Sequence, residues 1–72
     1  MKIHYFGGEA WEIDYVRAKL QGEEVIFHEK SLAESPEVSD SEAEALCTFV
    51  ESPIGETEIA RFPSLKLIAT RS

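Results

Sequence analysis

The amino-acid sequence predicts an α/β fold in which parallel strands alternate with helices. Three observations point there. Four short apolar runs rich in β-branched and aromatic residues recur along the chain. Apolar residues at helical spacing separate the first two runs. Turn formers (Gly7-Gly8, Gly22, Ser52-Pro53 and Pro63-Ser64) punctuate the boundaries.

The first strand is Lys2 to Phe6 (KIHYF), closed by the turn signal Gly7-Gly8. A helix follows from about Glu9 to Leu20. Ile13, Val16 and Leu20 form its apolar face, with Ala10 or Trp11 extending it. Acids at its start and Arg17 and Lys19 at its end suit the helix dipole, and Gly22 is expected to supply a left-handed stop. Glu24 to His28 (EVIFH) is the second strand.

Residues 29–44 carry Pro36 and four serines (Ser31, Ser35, Ser39 and Ser41) and hold no long period. A loop with at most one or two helical turns is expected. Ser41 and Glu44 have capping-box spacing, but a strand, not a helix, comes next. Ala45 to Val50 (ALCTFV) is the third strand. A short helix from Gly55 to about Arg61 is expected to pack through Ile54, Ile59 and Phe62, and Pro63 ends it. Leu65 to Thr70 is the fourth strand. Its apolar run reads as a parallel strand buried on both faces.

At 72 residues the chain is a single domain. Such a chain buries only about 60% of its unfolded surface, so marginal stability is expected. With 43% hydrophobic residues it has the material for a core. No apolar run reaches the roughly 18 residues of a membrane helix, and no signal peptide is recognisable. Cys47 is alone, so a reducing, cytoplasmic setting is expected. The net charge is −7, and residues 31–60 hold eight acids without a Lys or Arg. That balance argues against nucleic acid, for lack of a basic patch to replace counterions. The acidic middle reads as a solvated face, or else as a docking site for a basic partner.

Ligands of open parallel sheets bind beyond the carboxyl ends of the strands. That rim comprises Gly7-Gly8, Glu29-Lys30, Glu51-Ser52-Pro53 and Arg71-Ser72. Gly7-Gly8 opens a helix, but no dinucleotide or P-loop fingerprint is present and Glu9 and Glu12 repel phosphate, so it reads as a tight turn. His4 and His28 fall on adjacent strands without an evident third metal ligand, and read as ordinary strand residues. Cys47 lies mid-strand as a small buried hydrophobe. Trp11 reads as a core or rim residue. No Ser-His-Asp arrangement is defensible.

Three stretches resemble the D-specific 2-hydroxyacid dehydrogenases of the D-lactate dehydrogenase type: Met1 to Gly7 (MKIHYFG), Glu24 to Glu29 (EVIFHE) and Phe62 to Ser72 (FPSLKLIATRS). The resemblance spans nearly the whole chain and is lost over Ser31 to Glu44. It implies half of a flavodoxin-like substrate domain over residues 1–72, with strand order 2-1-3-4 and helices on both faces. A continuous 1-2-3-4 wind is the alternative. The switch point then lies between the first and third strands, and Gly7-Gly8 faces Glu51-Ser52.

In that family NAD binds a separate Rossmann domain, and the catalytic Arg, Glu and His lie beyond the stretch matched here. The resemblance therefore assigns no catalytic residue, metal or cofactor to this chain. It implies that Glu51, Ser52, Arg71 and Ser72 line the substrate cleft, although a carboxylate at Glu51 repels a 2-hydroxy acid. The expected function is an isolated or engineered fragment of such a domain, inactive alone. The alternative is a stand-alone interaction module. In either case the family's fifth strand is missing, so a homodimer through the edge of the fourth strand is expected.

Overall fold

The computed structural model describes residues 1–49, 52 and 54–71. It contains β1 (Lys2–Phe6), α1 (Ala10–Lys19), β2 (Glu24–His28), β3 (Ala45–Phe49), α2 (Glu56–Ala60) and β4 (Leu67–Arg71). The four strands form one sheet in the order β2-β1-β3-β4, and each neighbouring pair is parallel. The expected class and strand order are both observed. β4 starts and ends later than the sequence reading placed it. Val50, expected to end the third strand, lies outside the described residues.

Register fixes which residues share a face. His4 aligns with Ile26 and Leu46, and Leu46 with Ile68. Because side chains alternate along a strand, Phe6, Leu46 and Thr48 share that face. The core forms there, from Phe6, Leu32, Ala43, Leu46 and Phe62, with Val38, Ile54 and Leu65 packed against it. The 29–44 loop and the chain after α2 thus provide the cover. Ser31 and Glu34, not Ser41 and Glu44, exchange reciprocal capping bonds: Ser31 N–H donates to Glu34 Oε1 and Glu34 N–H to Ser31 Oγ, both at 3.2 Å.

α1 lies over the opposite face. Its start is held by the Glu12 carboxylate, which accepts from the Glu9 N–H at 3.3 Å. Ile13 and Val16 are half-buried, Leu20 is exposed, and none of the helix residues is fully buried. The expected apolar face exists but is only partly covered. A helix about 10 Å across spans about two strands spaced roughly 4.8 Å apart, so one helix cannot roof four. An apolar groove of about 390 Å³ remains, lined in part by Ile3, Val16, Leu20, Cys47, Leu67 and Ala69.

Several smaller expectations are corrected. Gly22 does not end α1 in a left-handed turn; among the described residues only Gly7 has a positive φ, 71°. Leu20 closes the helix instead, its N–H donating to Val16 O. Trp11 is exposed and donates to Glu9 Oε2 at 3.1 Å, and Ile59 is exposed too. β4 is not buried on both faces. Leu67 is 53% and Ile68 37% exposed, because β4 is the sheet's edge and, among the described residues, no strand pairs with its outer side. No described helix is long and apolar enough to cross a membrane.

Candidate functional site

Two side-chain clusters stand on the sheet, one on each face: the first at the carboxyl ends of the strands, the second running from the start of β1 to the end of β2. The first is built around Arg71, the last residue of β4. Its Nη2 donates to Phe6 O at 2.8 Å. The guanidinium lies over the Tyr5 ring at 4.3 Å and the Phe49 ring at 4.2 Å, and Nε is 3.4 Å from Glu12 Oε2. Planar delocalised charge stacked on aromatic faces is a role lysine does not fill. Tyr5 Oη in turn donates to Glu12 Oε2 at 2.7 Å. That bond holds the Glu12 carboxyl below its ordinary range. Burial, followed by the same bond, pushes the Tyr5 phenol up to about 12.

The glycine turn is shaped by this cluster. A Cβ on Gly8 falls 2.8 Å from the Tyr5 ring, and one on Gly7 meets the Phe49 ring at 3.4 Å. The switch point between β1 and β3 is therefore packed by Arg71 and Phe49. Of the four residues assigned to the cleft, Arg71 stands at that point. Ser52 is buried, its N–H donating to O of Phe49, the last residue of β3, at 3.0 Å. Glu51 and Ser72 lie outside the described residues. Cys47 is only half-buried, and Arg71 Nη1 donates to its Sγ at 3.4 Å, so it is not the inert core residue expected.

No known family, curated protein or solved structure matches this chain. The chemistry therefore rests on geometry.

The second cluster was not foreseen. Lys2 Nζ meets Asp40 Oδ2 at 2.8 Å, His4 Nε2 meets the same oxygen at 2.9 Å, and His4 Nδ1 meets His28 Nε2 at 2.8 Å. The His4 bond, with help from Lys2 and the Glu42 N–H, holds the Asp40 carboxyl far below the usual range. Burial, reinforced by His4, lowers the pKa of His28. Asp40 is thus not part of a solvated acidic face.

A partial signal existed. His4 and His28 have the same parity on neighbouring parallel strands, which puts them on one face. Asp40 carried no such signal, because its loop has no period. Among the described residues no group of three or more metal-ligating side chains is assembled.

The space beside Gly8 is filled by Tyr5.

Proposed function

We propose that this chain is part of the substrate domain of an NAD-dependent D-2-hydroxyacid dehydrogenase, an oxidoreductase, and that it has no dehydrogenase activity by itself. The 2-1-3-4 parallel sheet is compatible with that reading. The observation that carries it is Arg71 at the switch point. It is held by Phe6 O, Cys47 Sγ and two aromatic rings, with Glu12 beside its Nε, and the second N–H of each terminal nitrogen is left for a substrate carboxylate. Glu51, Ser52 and Ser72 join it in the cleft by resemblance alone. NAD belongs to the complete enzyme, not to this chain, and the setting is cytoplasmic.

Titration of the isotope-labelled chain with a D-2-hydroxy acid tests the reading. The amide resonances of Gly7, Phe49 and Arg71 move, while NADH moves none and no 2-oxo acid is reduced. Silent resonances at millimolar acid, or turnover by this chain alone, defeat it.

A second reading is a self-associating α/β module. The exposure of Leu67 and Ile68 on the open β4 edge favours it. A homodimer through that edge is compatible with both readings.

A further inference from the structure

We propose that Asp40, His4 and His28 form a proton relay that makes His28 a nucleophile toward small, uncharged, activated acyl esters at the carboxyl end of β2. The cluster lies on the sheet face opposite Arg71 and is independent of the dehydrogenase reading.

The hydrogen positions follow from the donors available. The Asp40 carboxylate only accepts, so His4 Nε2, 2.9 Å away, carries a proton and donates it. In the tautomer with that single proton on Nε2, His4 Nδ1 is bare and accepts from His28 Nε2 at 2.8 Å. That leaves His28 Nδ1 with a free lone pair, and among the described residues the His28 side chain makes no other hydrogen bond. Two contacts fix the ring. It lies flat on Phe6, centroids 4.4 Å apart and planes 10° apart, and its plane is within 12° of that of His4. Asp40 is itself anchored by Lys2 at 2.8 Å and by its own N–H, which donates to Arg61 O at 3.0 Å. The geometry of a base oriented by a hydrogen-bonded acid through a second ring is the general pattern of an activated nucleophile.

His28 lines a shallow, open surface depression of about 370 Å³ together with Phe27, Glu29, Lys30, Glu37 and Val38. The charged groups lining it are Glu29, Lys30 and Glu37, while the relay's own Asp40 and Lys2 lie behind it at His4. Two carboxylates against one ammonium disfavour anionic substrates, which restricts the class to uncharged esters. Burial keeps the ring neutral near pH 7, the form that attacks.

In the reaction, Nδ1 attacks the ester carbonyl carbon and the bond to the leaving oxygen breaks, its electrons departing with the alkoxide. The acylated ring passes its Nε2 proton to His4 Nδ1, and the His4 imidazolium is held against the Asp40 carboxylate. Water then adds its oxygen to the acyl carbon. The acyl–nitrogen bond breaks with its electrons returning to the ring, and His4 returns the proton to Nε2. One proton of the water stays on the carboxylic acid and the other neutralises the alkoxide. His28 is the catalytic residue; His4 holds its Nε2 proton during turnover, and Asp40 positions His4.

The probe is p-nitrophenyl acetate with the full chain, followed by nitrophenolate release. The expected rate exceeds that of an equal concentration of free imidazole by about 10²-fold. His28→Gln returns it to background. Asp40→Asn lowers it by about tenfold and moves the midpoint of the pH–rate profile. A wild-type rate no higher than imidazole, or one that survives His28→Gln, overturns the proposal. Because Asp40→Asn also frees the loop, the unmodified protein supplies a second readout. Long-range ¹H–¹⁵N correlation of the imidazoles should show His28 protonated at Nε2 and bare at Nδ1, and the opposite tautomer overturns the relay.

Discussion

His4 and His28 meet edge to edge, Nδ1 to Nε2, at 2.8 Å with their planes 12° apart. Two rings in this arrangement share one hydrogen, so the contact survives with one added proton and breaks with two. His28 is depressed from 6.5 by burial and His4, and Asp40 is depressed from 3.8 chiefly by its bond to His4. For both groups the unfolded chain takes up protons at a higher pH than the folded one. The His28 contribution is complete above 6.5 and declines as pH falls below it. The Asp40 contribution is present above 3.8 and is lost as pH falls further. Urea midpoints measured against pH should therefore drop in two windows. His28→Gln should flatten the upper one and leave the lower, and an unchanged upper window refutes the assignment.

Phe62 is completely buried against Phe6, Leu32 and Leu46, whereas Leu20 is 36% exposed. Phe62→Ala should cost about 3–5 kcal/mol, a large part of the roughly 5–15 kcal/mol expected of a folded domain. Leu20→Ala should cost well under half of that. Thermal melting of the two variants side by side checks the contrast, and equal losses show that α1 is packed more tightly than described.

Gly8 and Gly22 should respond oppositely to alanine. At Gly8 the new Cβ sits 2.8 Å from a Tyr5 ring that Arg71 and Glu12 hold in place, so something must shift. A loss of about 1–3 kcal/mol is expected. At Gly22 nothing lies within 4 Å and φ is not positive, so Gly22→Ala should be neutral or stabilise by about 0.4–1 kcal/mol through the unfolded state. Denaturant midpoints of both variants decide it.

The β4 edge leads to a prediction about assembly. Edge strands template pairing unless charge or proline blunts them. Lys66 precedes β4, and its ammonium is engaged with Glu44 at 3.1 Å. Antiparallel meeting of two β4 strands across a two-fold axis gives a continuous sheet and covers Leu67. Sedimentation at micromolar concentration should show a species larger than 8.1 kDa. Leu67→Lys should shift it toward monomer, and a clean wild-type monomer removes the edge interface.

The strands were legible in the sequence because each is a short run of strand formers ended by its own punctuation, as KIHYF is by Gly7-Gly8. Local pattern also located α1, since Ile13, Val16 and Leu20 keep helical spacing whatever they touch. Periodicity marks which residues can face a core, not whether a core is there to meet them. Leu20 and Leu67 are exposed because one helix cannot cover four strands and, among the described residues, no strand pairs with the outer side of β4.

Arg71 at the rim was anticipated, but its stacking between Tyr5 and Phe49 depends on β1, β3 and β4 coming into register. The His4–His28–Asp40 cluster was the least legible. Parity on neighbouring strands aligns the two histidines, whereas Asp40 reaches them only when the aperiodic 29–44 loop folds back and its N–H closes on Arg61 O, 3.0 Å away. Contacts between residues so far apart in the chain follow from loop closure and packing, which no local pattern of residue types encodes.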